Sequence, residues 1–306
     1  MSRIESSASL SSEQPYILLL GRSGQLGLAL HQLIDKKALL LPDRVDIDFM
    51  YPERLPDLVL KFRPAVIINA AAYTQVDEAQ TRPELAYAIN TQAVAVLAQA
   101  AKRIGALLVH CSTDYVFDGS GDQPWREKDK PAPLNVYGVS KRGGEQAIMA
   151  SGCRHLIFRT SWLHSPYRQN FLKTMLGLGQ ERTSITVVCD QIGAPTSAAM
   201  LAEVILGAIK QTLANPALCG LYHVTAKGET SWYDYARLVF TEANKMGVSL
   251  KVIELKAVLS QAYPSAARRP RNSRLDTSKF CSAFGLELPH WREGVEETLR
   301  QLLKEK

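Results

Sequence analysis

Residues 16–34, YILLLGRSGQLGLALHQLI, constrain the fold more than any other stretch of this chain. Tyr16–Leu20 is a short apolar run ending at a glycine. GRSGQLG then leads at once into a helical pattern of Leu26, Leu30, Leu33 and Ile34. Strand, glycine turn and helix in that order form a unit whose helix N-terminus faces whatever binds at the strand end. Gly21 permits the tight turn, Gly24 lets a pyrophosphate approach the backbone, and Gly27 lets helix and strand pack closely. The expectation is a dinucleotide site.

The next hundred residues repeat the alternation of strand and helix. Ala38–Leu41 reads as a second strand, ending at Pro42-Asp43-Arg44. An acid such as Asp43 there binds ribose hydroxyls, whereas Arg44 or Arg22 could meet a 2′-phosphate, so NADH and NADPH both remain open. Asp48-Phe49 is placed either to reach the adenine or to form a turn. Leu55–Phe62 is helical, and Ala65–Ile68 is a third buried strand ending in NAAAYT, whose small residues leave room for a cofactor. Pro83 opens an Ala-rich helix to about Arg103, with Asn90 inside it as a brace for the next strand end. This pattern predicts an α/β fold, a Rossmann-type doubly wound parallel sheet.

Residues 106–148 bring chemistry to that scaffold. Ala106–Val109 is read as a buried strand bounded by polar His110-Cys111-Ser112, and Tyr137 and Lys141 fall four apart at a helix start. Asp118-Gly119 and the Pro131/Pro133 pair take the chain out and back, so Thr113, Tyr137 and Lys141 can converge. When hydride reaches a ketone carbon, its oxygen needs a proton. A phenol beside an ammonium, with a second hydroxyl, supplies one. The expectation is that the lysine cation lowers the Tyr137 pKa.

Beyond His155–Phe158 and RTSWLH the alternation loosens. Phe171–Leu178, Ala198–Leu213, Trp232–Met246 (capped by Ser231) and Val295–Leu303 read as helices, and Ile185–Val188 and Leu221–Val224 as strands. The expected organisation is a tail at 1–14, a dinucleotide-binding domain at 15–162 and a smaller C-terminal substrate-binding region at 163–306, with some segments returning to the core. Arg268, Arg269, Arg271 and Arg274 sit in a loop broken by Pro264 and Pro270, which reads either as planar guanidinium forks suited to a diphosphate or as a solvated or dimer-facing basic loop. A net charge of +6 is spread along the chain rather than blocked, which favours a small phosphorylated partner over nucleic acid. Five widely spaced cysteines without a CxxC or Cys/His cluster argue against a disulfide framework and against zinc, and fit a reducing cytoplasm. No apolar run is long enough for membrane insertion, and the Ser-rich tail lacks a signal-peptide core.

GRSGQLG, NAAAYTQVDEAQ, STDYVFDG, PLNVYGVSK, RTSWL, DQIGAPT and ARRPRNSRLDTSKF occur in that order. Together they resemble the dTDP-4-dehydrorhamnose reductases, a branch of the extended short-chain dehydrogenase/reductase family, from about Tyr16 to the C-terminus. The GxxGxxG spacing suits that family too. The resemblance implies NADPH- or NADH-dependent reduction of a dTDP-linked 4-keto sugar, dTDP-4-dehydro-6-deoxy-L-mannose, to dTDP-L-rhamnose, a precursor of cell-surface polysaccharide such as O-antigen lipopolysaccharide. It implies Tyr137 as proton donor, Lys141 as its electrostatic partner and Thr113 as second hydrogen-bond donor. Asp114 and Trp162 match positions that hold the sugar, with Arg268 and Arg269 beside them. Gly21, Ser23, Gly24, Gln25, Leu26, Asp48, Phe49, Ala71, Ala72, Tyr73 and Thr74 match the cofactor cleft. It also implies a homodimer with magnesium near the interface, although no motif here identifies a metal site.

Other outcomes are open on the residues. A sugar dehydratase needs an Asp-Glu pair after the threonine, and here Asp114-Tyr115 stands in its place. A sugar epimerase would show no net oxidation of its cofactor. A regulatory subunit like that of methionine adenosyltransferase would have no need of Tyr137 and Lys141, and both are present.

Overall fold

The computed structural model describes residues 17–42 and 47–304. The N-terminal tail, Tyr16, Asp43 and Arg44 lie outside the described residues.

β1 (Ile17–Leu20), β2 (Leu39–Leu40), β3 (Val66–Asn69), β4 (Leu107–Thr113) and β5 (His155–Thr160) alternate with helices. These are α1 (Gln25–Leu33), α2 (Leu55–Phe62), α3 (Val76–Thr81), α4 (Pro83–Tyr87), α5 (Ala93–Ile104) and α6 (Val136–Ser151). The second half adds α7 (Phe171–Glu181), β6 (Ser184–Val188), α8 (Ala198–Ala214), β7 (Gly220–His223), α9 (Trp232–Lys245), β8 (Glu254–Val258), α10 (Ser278–Phe284) and α11 (Trp291–Lys304).

Six parallel strands form the main sheet in the order β7-β5-β4-β3-β1-β2. Alternation along β1 sends Leu19 to one face and Leu18 and Leu20 to the other, each at most 1% exposed. Leu19 joins α1, α8 and α10 in one core, and Leu18 and Leu20 join α2, α5 and α6 in another. Helices thus cover both faces, which is why these strands are apolar throughout. The neighbours of β1 are β2 on one side and β3 on the other, so chain order reverses there. Crevices at the carboxyl ends of strands flanking such a reversal bind ligands in open α/β sheets. A third core gathers α7, α9, α11 and β6 around Tyr235 and Trp291, while β7 and α8 return to the main sheet.

Three differences from the sequence reading have physical causes. β4 runs through His110-Cys111-Ser112 to Thr113, because β3 and β5 pair it on both sides and its polar side chains satisfy one another. The Ala-rich helix is interrupted by a π-helical turn, Ala88–Gln92, that aims the Asn90 side chain at the strand ends. β6 pairs in parallel with β8, a partner not foreseen.

Candidate active site

The glycine turn lies at the carboxyl end of β1. Gly21 has φ +81°, and a Cβ there would come 2.4 Å from the Ala71 nitrogen, so only glycine admits the loop after β3 so close. A Cβ on Gly27 would come 2.1 Å from the Gly21 carbonyl oxygen. Gly27 therefore seats α1 on the glycine turn itself, where sequence reasoning had it packing on the strand. Gly24 is the N-cap of α1 and supplies no side-chain cap, and a Cβ there would meet only the Gly21 oxygen, at 3.5 Å. Gly24 thus brings no side chain of its own to the first turn of α1. A pyrophosphate fits against that turn, since helix N-termini hold anions with unpaired N–H groups and a favourable dipole.

The remaining cofactor-cleft residues divide by role. The Gln25 side chain donates to Leu163 O and accepts from Ser165 and Asn170, so it ties α1 to the second half and leaves only its backbone to a ligand. Leu26 is buried in the core. The Ser23 carbonyl accepts from Arg168 Nε at 2.6 Å. Ala71 N–H donates to Asn69 Oδ1, Tyr73 is bonded through both its N–H and its carbonyl to Asn90, and Thr74 is exposed. Asp48 caps a turn by accepting from Met50 N–H at 2.8 Å, and Phe49 packs on the core. Ala72 is partly buried on the same loop as Ala71.

Thr113 ends β4, and Tyr137 and Lys141 lie in the first turns of α6. Gly138 lets the two meet: a Cβ there would come 2.2 Å from the Tyr115 carbonyl oxygen, so helix and strand end are in contact. Asn135 caps α6 by accepting from Gly138 N–H and reaches Arg268 O with its amide, fixing the arginine loop to the helix start. The Tyr137 hydroxyl is in hydrogen-bond reach of Thr113, and burial pushes its pKa above the ordinary tyrosine value, with Asp114 adding to the rise. Thr113 Oγ1 donates to Asp114 Oδ1 at 3.0 Å. Burial lifts the Asp114 carboxyl to about 6 against the neighbouring Ser273 and Thr113 hydroxyls, which pull the other way, and its Oδ2 makes no well-aligned hydrogen bond among the described residues.

The expected lowering of the Tyr137 pKa by Lys141 does not occur in this state. Lys141 is 1% exposed and turns its amine to Cys111 O and to His110 Nε2, because its stem runs down the helix toward the sheet. Burial draws its own pKa down to about 8, with Cys111 and Glu145 pulling the other way.

A cavity of about 1360 Å³ is lined among others by Asp118, Leu134, Phe171, Trp232, Arg268 and Arg269; it comes to within two residues of the α6 start at Leu134, and Thr113, Asp114, Tyr137 and Lys141 are not in its lining. Trp162, held at φ +50°, stacks on Trp232 with ring centroids 3.6 Å apart. Of the four arginines foreseen for a diphosphate, Arg269 pairs with Asp77, Arg271 with Asp190 and Arg274 with Glu229. Arg268 is exposed and has no ion pair among the described residues. Arg274 is turned away to Glu229 rather than lining the cavity. No group of three or more His, Cys, Asp or Glu among the described residues could hold a metal, so the implied magnesium finds no ligand set.

Sequence reasoning missed a buried ion pair under the site. Glu145, fully buried on α6, accepts from Arg159 of β5 in a bidentate pair at 2.7 and 2.8 Å and from Ser112 of β4 at 2.6 Å. The signal available was GGEQ one turn after Lys141, an acid beside two glycines that let α6 pack closely on the π-helical turn at Asn90 and Thr91.

A doubly wound sheet with a glycine turn at its switch point, with Tyr137 in reach of Thr113 and Lys141 one helical turn on bound to the Cys111 carbonyl of the same strand, has the architecture of a nicotinamide-dependent oxidoreductase of the short-chain dehydrogenase class. Residues 15–304 match the family model described as RmlD substrate binding domain. The chain is 48% identical over 291 residues to the dTDP-4-dehydrorhamnose reductase of Escherichia coli K12, covering 94% of this chain and 97% of that one. The crystal structure of dTDP-4-dehydrorhamnose reductase from Bacillus anthracis in complex with NADP superposes with a TM-score of 0.86 at 36% identity, covering 94% of this chain and 100% of that one. An ortholog from Clostridium acetobutylicum gives 0.87 at 34%, covering 94% and 99%. The chain belongs to the dTDP-4-dehydrorhamnose reductase family.

Proposed function

We propose that this chain reduces the 4-keto group of dTDP-4-dehydro-6-deoxy-L-mannose to give dTDP-L-rhamnose, with NADPH as the preferred reductant. Residues 15–162 hold the dinucleotide and 163–306 mainly the sugar nucleotide, with β7 and α8 serving the main sheet. When bound, the reduced dinucleotide supplies hydride to the sugar carbon. The observation that carries the reading is the Thr113–Tyr137 hydroxyl pair beside an Asp114 oxygen without a well-aligned hydrogen bond.

Tyr137 delivers the proton to the ketone oxygen. Its raised pKa keeps the phenol protonated at neutral pH, the state a reduction consumes. On substrate binding the one Thr113 hydroxyl proton turns from Asp114 Oδ1 to the same oxygen, and Asp114 Oδ2 accepts from a sugar hydroxyl. Trp232, backed by Trp162 stacked on it, gives the sugar a flat wall, and Arg268 answers the diphosphate. With Tyr115 where a dehydratase needs a glutamate, the site lacks the base for water loss. The NADPH preference draws on the NADP bound by the Bacillus anthracis relative and on Arg22 beside the glycine turn. The five free cysteines fit work in a reducing cytoplasm, and we propose a homodimer on the family resemblance alone.

The test is loss of reduced-nicotinamide absorbance with dTDP- and UDP-linked 4-keto sugars, each with NADPH and NADH. One cofactor is oxidised per dTDP-sugar reduced, fastest with NADPH. Product formed without net cofactor oxidation would mean an epimerase, and no turnover would mean a binding subunit.

A further inference from the structure

Beneath Lys141 runs a chain of buried polar groups that the reaction above does not use. Asn69 and His110 are register partners on the parallel strands β3 and β4, so their side chains leave the same face of the sheet. Asn69 Nδ2 lies 3.2 Å from His110 Nδ1, and His110 Nε2 lies 3.2 Å from Lys141 Nζ. At the other end Asn69 Oδ1 accepts from Ala71 N–H at 3.1 Å. All three side chains are 1% exposed, so water does not complete their hydrogen bonds.

Counting donors fixes the protonation states. Ala71 N–H can only donate, so the Asn69 oxygen faces it and the amide NH₂ faces His110. His110 Nδ1 must then accept, which puts the ring proton on Nε2, facing Lys141. An ammonium offers no lone pair. The contact is a hydrogen bond only if Lys141 is a neutral amine that accepts from Nε2 and donates to Cys111 O. A charged Lys141 requires the mirror arrangement: Nε2 accepts, the proton moves to Nδ1, and the Asn69 amide turns over so that its oxygen faces His110. Asn69 then presents NH₂ to Ala71 N–H, and that bond is lost.

We infer that His110 and Asn69 form a two-state relay that couples the charge on Lys141 to the backbone N–H of Ala71. The bookkeeping is one proton. Lys141 goes from NH₂ to NH₃⁺, His110 exchanges an Nε2 proton for an Nδ1 proton, and Asn69 rotates without gain or loss. Released Ala71 N–H lies against the Gly21 turn and becomes a donor to the dinucleotide, so cofactor and lysine charge favour each other. That last link rests on the reading in the preceding subsection, while the relay itself does not. His110 and Asn69 are positioning residues acting through Lys141.

The surrounding groups are compatible with this exchange near neutral pH. Burial and the neighbouring Lys141 hold His110 well below its ordinary value, so the ring changes tautomer without becoming imidazolium. The Cys111 thiol, pushed up to about 12 by burial, stays neutral, and the buried phenol of Tyr137 does too. Glu145 is the one carboxylate acting on Lys141 among the described residues, and Arg159 and Arg142 hold it ionised.

The test is a pH titration of imidazole nitrogens by NMR on the full chain labelled with ¹⁵N-histidine, without nucleotide. His110 is assigned by its loss in His110→Gln. It should be the Nε2–H tautomer above about pH 8 and the Nδ1–H tautomer below it, neutral throughout. In Lys141→Met it should remain Nε2–H at every pH. In Asn69→Asp, whose carboxylate accepts from Ala71 N–H and His110 at once, it should remain Nδ1–H. An unchanged Nε2–H signal from pH 9.5 to 6 in the unsubstituted chain, or an imidazolium, would overturn the relay and leave the reductase assignment untouched. A working relay with no uptake of protons on NADPH binding at pH 8.5 would overturn only the link to the cofactor.

Discussion

Asp114 joins an ionisable group to almost no solvation. It is 3% exposed, one oxygen is bonded to Thr113, and the other makes no well-aligned hydrogen bond among the described residues. Its carboxyl titrates near 6 in the fold, above its ordinary value of 3.8, so the protonated form is the one the fold prefers. Stability from this group is therefore greatest below about pH 4 and is lost as pH rises through 6, a cost of about 3 kcal/mol at pH 8 by linkage. Asp114→Asn should raise the unfolding free energy at pH 8 by roughly 1–3 kcal/mol, with the gain fading by pH 4. The same substitution should raise KM for the sugar nucleotide about 10–100-fold, the scale of a lost hydrogen bond to a charged group. Urea denaturation at both pH values and steady-state kinetics measure these, and a stability gain equal at pH 8 and pH 4 would contradict the assignment.

At the scale of elements, the site depends on how α6 lies against the interrupted helix α4–α5. A Cβ on Gly144 would come 2.3 Å from Asn90 O, and one on Gly143 2.6 Å from Thr91 Oγ1. Gly144→Ala should push α6 from the π turn, costing about 1–3 kcal/mol as overpacking does, and should lower kcat more than it raises KM because Tyr137 and Lys141 move together. Gly177→Ala in α7 is the control. Nothing lies within 4 Å of the added Cβ, so helix propensity alone should leave the protein equal or about 0.5–1 kcal/mol more stable. Equal behaviour of the two variants would remove the packing argument.

These elements also mark how far the sequence could be read. Periodicity found α2 at its observed limits and β1 to β5 in order, because strands buried on both faces are apolar and the glycine turn punctuates them. The approach of Tyr137 to Thr113 was legible because a strand end and a helix start project side chains in known directions, whereas the turn of Lys141 to Cys111 O and His110 was not. The polar end of β4 was not, since a buried histidine and serine look like loop until their partners, Asn69 on the neighbouring strand and Glu145 on α6, are known. The pairings of the arginine loop with Asp77, Asp190 and Glu229 join residues more than forty positions apart in sequence, and local pattern carries no such information.

At the scale of the whole molecule, three buried histidines are held in neutral form, and this sets the response to mild acid. Burial lowers His164 and His223 to about 3 and His110 well below its ordinary 6.5. A histidine depressed in the fold supports stability above the unfolded value, and that support is lost as pH falls below 6.5, at about 1.4 kcal/mol per unit each. Three together, less the opposing contribution of Asp114, should lower the unfolding free energy by about 3 kcal/mol between pH 7 and pH 5.5. A flat stability profile over that window, by denaturant titration, would mean that the histidines take up protons in the native state.

The central claim is that a protonated Tyr137, set in place by this fold, completes ketone reduction. Single-turnover oxidation of bound NADPH by the dTDP-linked 4-keto sugar, compared between the unsubstituted chain and Tyr137→Phe, tests it most directly. The account predicts a rate lower by roughly 10²–10⁴ with NADPH affinity within a few-fold. A rate within threefold of the unsubstituted chain would contradict it.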